Sequence, residues 1–350
     1  MPTAGSIISS TYKYRLYVQL QTLLRQFNNT SGTWTSTGAQ YLPYESCSFT
    51  PGNPVEDQPF KTGAGSDIAG VGGRHNGTFT INFPWIPSGA AGTKPNLDQV
   101  LVSIFGAAAT VAAGVSVTYA FTDAINPLSF FFYDESGQST PTNLYCLGAL
   151  PSKVRWTFNG KFAMMSVDFR CVVIGSSPQF SQYTGVDAVA AGGLTTYPTE
   201  PGSFTTIGST VKGFGGMVVV DSNTIGEVRK GLTVEVDTGY EWIEDGFADG
   251  YPAQAVVGKR KTSIGQLTVW NTDSAGILNM KAIGFLHTPV TGSITHNSVA
   301  GLISAFAFNQ LQFPEGAFSE DGAVMNVDFN GAMAHATAAG LTNNFTLALT

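Results

Sequence analysis

Charged side chains are scarce in this chain of 350 residues, since Asp, Glu, Lys and Arg make up 12% of it, about half of the usual share in globular domains. Residues 1–185 carry ten basic and nine acidic side chains, a net charge of +1, whereas residues 186–350 carry seven and fifteen, a net charge of −8. The densest basic cluster is Lys259-Arg260-Lys261. Without a longer basic run, tight binding to nucleic-acid phosphate is not expected. So few charges favour a surface that neighbouring molecules cover.

Cysteine is also rare, and Cys47, Cys146 and Cys171 show no CxxC pattern. This spacing fits neither a disulfide framework nor a zinc site, and it predicts small buried thiols in a reducing compartment. The chain begins Met1-Pro2-Thr3 without a basic segment and an apolar core, so no secretory signal is predicted. The apolar stretch 101–121 is interrupted by Gly, Ser, Thr and Tyr and is too polar to be predicted as a membrane span.

Motifs of catalysis and cofactor binding are missing as well. Gly63-Ala64-Gly65 lacks the further glycine and the Lys-Ser/Thr pair of phosphate-binding loops, and neither GxSxG nor HExxH occurs. His287 and His296 lie nine residues apart with no local carboxylate or thiolate cluster, which does not favour a metal site. The sequence therefore predicts no catalytic residue, no metal ion and no cofactor, and we do not expect an enzyme.

Short apolar runs separated by Gly, Ser, Thr and Asn predict an all-β chain with many turns. Asn159-Gly160 is a type I′ turn signal between two such runs, and Asp221-Ser222-Asn223 marks a second hairpin. Alternating side chains predict strands or hairpins at residues 12–22, 44–50, 77–83, 115–121, 128–133, 153–159, 162–174, 216–228, 232–238, 324–333 and 344–349.

One stretch of the sequence occurs twice. Val55-Glu56-Asp57 and the later 77–81 (GTFTI) match Ile243-Glu244-Asp245 and 265–269 (GQLTV), both at an offset of 188 residues. Each copy reads as the end of a strand, a loop with glycine, and a strand with alternating apolar side chains. We interpret the match as two copies of one fold.

One helix is predicted in each copy. Residues 96–105 have apolar side chains at helical spacing, with Asn96 as a cap at the start and Gly106 at the end. Its counterpart is the shorter and less regular pattern at 273–284, about 177 residues on. Both patterns follow the repeated strand, as two copies of one fold require.

A third match completes the repeat. Residues 164–169 correspond to 324–329 at an offset of 160, so the order of the matching stretches is kept while loops of different length change the offset. The chain is therefore predicted to hold two domains, residues 1–185 and residues 186–350. Residues 175–215 show no periodicity and are interpreted as the connecting segment.

Two Glu-Asp pairs, Glu56-Asp57 and Glu244-Asp245, hold the same position in the two copies. Adjacent residues of a strand point to opposite faces, so neither pair fits paired catalytic acids. Their recurrence favours a structural or interface role. The alternating strand 232–238 places Glu235 and Asp237 on its polar face.

These stretches together resemble the tail tube proteins of tailed bacteriophages. The resemblance follows the order Glu56-Asp57, strand 77–83, Ser88 to Pro95 and helix, and its most specific part is Gly-x-Ala-Gly-Thr-x-Pro before the helix. In the second half, Gly258-Lys259-Arg260 and Gln312-Phe313-Pro314 precede strands that look like the same fold. The resemblance spans nearly the whole chain, and residues 1–40 and 175–215 depart from it.

The resemblance implies two tandem β-sandwich domains, each flanked by a helix, whose long hairpins join neighbours into a barrel. It also implies rings of six such folds, stacked into a hollow tube that conducts DNA. Two copies in one chain make three chains sufficient for a ring, with a hexamer as the alternative. The implied further partners are the tape measure protein and tail-end proteins, in a virion assembled in the host cytoplasm.

A lumen that lets DNA slide is expected to be acidic or neutral, because Lys and Arg would hold the phosphates. The strand at 232–238 is a candidate wall, although its polar face could equally lie outside. The candidate residues for the lumen or a subunit interface are Glu56, Asp57, Glu235, Asp237, Glu244 and Asp245.

Two other classes of protein stay open at this stage. One is a different structural protein of a virion, such as a capsid decoration protein or an adhesin. The other is a β-sandwich hydrolase, which is less favoured because the sequence shows neither a pair of buried carboxylates nor a histidine-rich pocket.

Overall fold

The structure is a computed structural model, and it describes residues 14–25, 38–50, 55–56, 71–72, 77–135, 142–159, 161–176, 199–201, 210–226, 228–244, 252–335 and 345–350. The predicted strands at 12–22, 216–228 and 344–349 and the predicted connection at 175–215 extend into parts outside these ranges. Asn96 and Gly106, at the two ends of the predicted helix, both lie inside them.

Strands dominate the described residues, and the prediction of an all-β fold with few short helices is confirmed. The strands of the first half are β1 (Tyr14–Leu20), β2 (Gln40–Leu42), β3 (Ser46–Thr50), β4 (Val55–Glu56), β5 (Val71–Gly72), β6 (Gly77–Pro84), β7 (Thr110–Ala112), β8 (Ser116–Ala120), β9 (Leu128–Asp134), β10 (Leu144–Phe158), β11 (Ala163–Cys171) and β12 (Val173–Ser176). Those of the second half are β13 (Gly216–Val220), β14 (Asn223–Ile225), β15 (Val228–Asp237), β16 (Tyr240–Glu244), β17 (Pro252–Val257), β18 (Lys261–Trp270), β19 (Val290–His296), β20 (Ser304–Gln312), β21 (Ala317–Asp321), β22 (Val324–Asp328), β23 (Ala332–Ala334) and β24 (Phe345–Leu349). Helix α1 (Asp98–Phe105) follows β6 and helix α2 (Ala275–Leu286) follows β18.

Strand β10 belongs to two layers of the first half. Residues 144–149 pair with β9 and β12, and β9 continues through β1 to β2. Residues 150–158 pair with β11, which continues through β6 to β3. The register shifts between Pro151 and Lys153, and such an irregularity lets one strand bend from one layer into the other.

The two layers share an apolar core. Leu16 and Val18 of β1 and Ile81 and Phe83 of β6 have no exposed surface, because alternate residues of each strand point inwards. One connected cluster of buried side chains continues from these residues into the second half. The two halves therefore share a core.

The pattern of strand pairing repeats along the chain. The first copy pairs β1 with β2 and β9, β9 with β10, β10 with β11, β6 with β11, and β3 with β6. The second copy pairs β13 with β14 and β19, β19 with β20, β21 with β22, β18 with β22, and β15 with β18. Both copies also contain a separate two-stranded ribbon. In the chain order, β4–β5 lies between β3 and β6, and β16–β17 lies between β15 and β18.

The register of the pairing follows the sequence offsets. Thr80 faces Asp168 between β6 and β11, and Thr268 faces Asp328 between β18 and β22. The threonines are 188 residues apart and the aspartates 160, the offsets of the sequence repeat. The pairings thus contain two copies of one strand arrangement, while the division into domains at residues 185 and 186 stays a prediction.

Local predictions are mostly confirmed. Asp221 and Ser222 have φ of 47° and 66°, as the type I′ turn between β13 and β14 requires. Helix α1 ends at Gly106 with φ of 79°, as predicted. Its N-cap is Leu97 rather than Asn96, and no side chain caps it, so the predicted cap is wrong. A backbone hydrogen bond from Asp98 N to the Pro95 carbonyl oxygen, 3.0 Å long, forms at the helix start instead.

Candidate subunit-interface site

The two copies join edge to edge along β10 and β15. Six antiparallel residue pairs form this seam, from Lys153 opposite Asp237 to Phe158 opposite Leu232. Val154 and Trp156 of β10 and Val234 of β15 have no exposed surface. The apolar faces of both strands therefore turn to the shared core, and the polar faces lie together on the other side. The first strand of the hairpin predicted at 153–159 and 162–174 thus continues the sheet into the second copy.

Glu235 lies on the polar side of this seam between two cations. Its carboxylate oxygens are 2.7 Å from Arg155 Nε and 3.2 Å from Lys153 Nζ. Burial alone would raise the pKa of Glu235, but the hydrogen bonds and charges of Lys153 and Arg155 outweigh it, and its pKa is lowered. Glu235 thus holds the two copies together as an ion pair and is not a free carboxylate.

The base of the second ribbon rests on the end of helix α1. The Tyr240 hydroxyl donates a 2.8 Å hydrogen bond to the Ser103 carbonyl oxygen. Arg260 donates to the Thr122 carbonyl oxygen, lies 3.4 Å from Asp123 and stacks over the Phe121 ring at 5.0 Å. Burial raises the pKa of Tyr240, partly offset by Arg260, so the phenol stays a neutral donor at this contact.

Two further contacts connect the copies. Trp85 Nε1 donates a 2.8 Å hydrogen bond to Ser304 Oγ, and both side chains are buried. Strand β24 pairs with β20 of the second copy on one side and with β8 of the first on the other. The intrachain interface is therefore extensive, and unfolding one copy alone would expose the core of the other.

The predicted candidate residues are separated by the fold. Glu235 lies in the seam, and Asp237 is exposed at the end of β15, where its carboxylate accepts a 3.0 Å hydrogen bond from Gly239 N. Glu56 and Glu244 are the last residues of β4 and β16, equivalent positions in the two ribbons. Asp57 and Asp245 lie outside the described residues. Whether any of the six lines a lumen stays a prediction.

Sequence reasoning missed the basic partners of Glu235. In the strand predicted at 153–159, Lys153 and Arg155 are two residues apart and therefore lie on one face of the strand. Glu235 and Asp237 share one face of the strand at 232–238 in the same way. The opposite charges on these two strand faces were a signal in the sequence that the two strands could pair. The contacts of Tyr240 and Arg260 had no such signal, because both reach residues about 137 positions away.

A cavity of about 350 Å³ lies at the end of the seam, lined by Phe158, Leu232 and His296 among others. His296 is 2% exposed, and its ring centroid lies 4.5 Å from that of Phe158. Burial lowers the pKa of His296, partly offset by the backbone of Lys212 and Phe214. Among the described residues no group of His, Cys, Asp and Glu is placed to hold a metal ion.

In the described part of the chain, strands β3 and β21 lie at sheet edges. Strand β3 pairs with β6 alone and strand β21 with β22 alone. Phe318 of β21 is 63% exposed. A strand at a sheet edge together with an exposed phenylalanine offers a surface for another chain.

No helix in the described ranges is long and apolar enough to cross a membrane. No protein-family model and no curated protein sequence matches the chain.

Proposed function

We propose that the protein is the structural subunit of a bacteriophage tail tube, in which three chains close a ring and rings stack into a conduit for DNA. The single observation that carries the proposal is the β10–β15 seam between two copies of one strand arrangement. A fold that already joins its own copy edge to edge has the contact that a ring of copies needs.

The edge strands β3 and β21 extend this argument to neighbouring chains. One copy contributes β10 and the other β15 to the seam, which leaves the equivalents β21 and β3 for contacts between chains. A contact between unlike edges is head-to-tail, and such contacts close into a ring when the rotation between copies fits. Two copies per chain and six copies per ring give three chains.

The charge distribution is compatible with a conduit that does not hold DNA. The second half carries the net charge of −8, and Lys153 and Arg155 are occupied by Glu235. Cations that are paired within the protein bind fewer phosphates. In the proposed virion, the tape measure protein and the tail-end proteins are the further partners, and assembly takes place in the host cytoplasm.

Negative-stain microscopy of the purified chain, combined with light scattering, tests the proposal. We expect hollow rings or tubes with six lobes, whose smallest closed unit has the mass of three chains of 36.9 kDa. Rings of six chains would contradict the stoichiometry. A protein that stays monomeric at every concentration and salt condition would contradict the function, because a tube subunit must associate with itself.

A further inference from the structure

The cavity at the end of the seam lies between strands of both copies. Phe158 comes from β10 of the first copy, whereas Val218 and His296 come from β13 and β19 of the second. Phe214 and Met217 also line the cavity and are 57% and 45% exposed. Because buried and exposed side chains share this lining, a molecule from solution can enter the cavity from the side of Phe214 and Met217.

The lining restricts the polarity and the size of a ligand. Apart from Asn159 and His296, the residues around the cavity are apolar or glycine, and none of their described side chains carries a charge at neutral pH. His296 stays neutral as well, because burial lowers its pKa below the ordinary 6.5. The volume of about 350 Å³ is more than twice the ~150 Å³ that accommodates one benzene molecule. The cavity therefore suits an uncharged ligand with two fused rings.

The shape of the walls favours a flat ligand. Five of the lining residues are glycines, Gly213, Gly215, Gly216, Gly226 and Gly231. Glycine lets a ligand approach the backbone closely, because it has no side chain. The rings of Phe158 and His296 lie next to each other, and aromatic side chains pack well against the face or the edge of another ring. An aromatic ligand therefore fits this lining better than a flexible chain.

His296 supplies a buried acceptor that lacks a donor. The residue is 2% exposed, and neither of its ring nitrogens forms a hydrogen bond of normal geometry within the described part of the chain. The backbone of Lys212 and Phe214 lies near the ring and favours its protonated form, as carbonyl oxygens that face an N–H group do. Since a neutral imidazole carries a proton on one nitrogen only, the other nitrogen still needs a donor. Buried polar atoms are normally paired, so this nitrogen marks the place of a ligand's N–H or O–H group.

We propose that the cavity binds a small uncharged molecule of two fused aromatic rings, whose N–H or O–H group donates a hydrogen bond to the unprotonated ring nitrogen of His296. The apolar part of this molecule packs against Phe158 and Val218 and is removed from water there. Neither contact involves another chain, so the site goes beyond the proposed function and is present in a single chain as well as in an assembly.

Equilibrium dialysis of the full-length protein against indole tests the site. Indole has two fused rings and one N–H donor, and 1-methylindole is its matched control because a methyl group replaces the donor hydrogen. We expect indole to bind saturably, with one molecule per chain. We expect 1-methylindole to bind at least ~tenfold more weakly, since it leaves the buried ring nitrogen of His296 unpaired.

The variant His296→Phe tests which residue accepts the hydrogen bond. It keeps an aromatic ring next to Phe158 but has no ring nitrogen. We therefore expect it to bind indole and 1-methylindole equally, and neither more tightly than the parent binds 1-methylindole. If the preference for indole persists in this variant, the donor binds elsewhere and the role of His296 is overturned.

The variant Val218→Phe tests the cavity without changing His296. The larger side chain should fill part of the cavity, so we expect it to abolish detectable indole binding while the urea midpoint equals or exceeds that of the parent. Val220→Phe is the control, because Val220 lies two residues further along the same buried face of β13 and is not among the lining residues. There the larger side chain should overpack the core and lower the urea midpoint.

Three results overturn the site. One is the absence of binding by indole and 1-methylindole up to their solubility, and another is unchanged indole binding in Val218→Phe. The third is an equal loss of stability in Val218→Phe and Val220→Phe, which would show that there is no space beside Val218. Each of these results leaves ring formation, and with it the proposed function, standing.

Discussion

Thr80 and Thr268 form the same hydrogen bond in the two copies. Thr80 Oγ1 donates to Asp168 Oδ1 at 2.7 Å, and Thr268 Oγ1 donates to Asp328 Oδ1 at 2.6 Å. In both cases the aspartate lies directly opposite on the neighbouring strand. The short strings that match in the sequence therefore share a side-chain contact as well as a strand register.

These hydrogen bonds should contribute similarly to stability. We expect Thr80→Val and Thr268→Val each to lower the free energy of unfolding by about 1–3 kcal/mol, because each leaves a partly buried carboxylate without its donor. Urea denaturation followed by circular dichroism measures the change. Thr110→Val on the exposed strand β7 is the control and should change it by less than ~0.5 kcal/mol. An effect at only one of the two threonines would argue against equivalent roles.

The Glu235 ion pair should make the seam sensitive to acid. Because the pKa of Glu235 is lowered on folding from an ordinary value of 4.5, its contribution is present above pH 4.5 and is lost as the pH falls through the lowered value. We expect Glu235→Gln to cost about 1 kcal/mol at pH 7 and to cost progressively less below pH 4.5.

Urea titrations of the parent and variant between pH 7 and pH 3 measure this difference. The exposed Glu320→Gln on β21 serves as a carboxylate control, with an expected change within ~0.5 kcal/mol. A cost for Glu235→Gln that stays constant across the whole pH range would show that the charge of Glu235 is not the source of its effect.

The hydrogen bond from Trp85 to Ser304 should couple the two copies during unfolding. Ser304→Ala leaves a buried indole N–H without its acceptor, so we expect a loss of about 1–3 kcal/mol. Since one core spans both copies, calorimetry of the variant should show a single unfolding transition, at a lower temperature than that of the parent protein. The exposed Ser48→Ala is the control. Two separate transitions, with only one of them moved, would contradict a shared core.

Much of the strand layout could be predicted from the sequence. Alternation at 77–83 and 232–238 identified β6 and most of β15, and Asn159-Gly160 and Asp221-Ser222 identified two hairpins. These signals are local, since each depends on residues within one strand or one turn. The start of α1 was predicted one residue too early, because the capping rule relies on a side-chain cap and this helix has none.

The joining of the copies could not be predicted in this way. The first half of β10 was missed because irregularities between Cys146 and Lys153 interrupt its alternation. Its pairing with β15 joins residues about 80 positions apart, and no periodic pattern in the sequence relates residues at that distance. Glu235 was correctly placed on a polar face, but its partners belong to that distant strand.

The β10–β15 seam also has a kinetic consequence. Because both strands belong to one chain, this joint closes at a rate that is independent of protein concentration. In a ring of three chains, half of the six joints would therefore form before any two molecules meet, and dilution would release whole chains and never single copies. Assembly of one ring would then need two encounters between molecules in place of five, so tube growth would tolerate a lower supply of subunits.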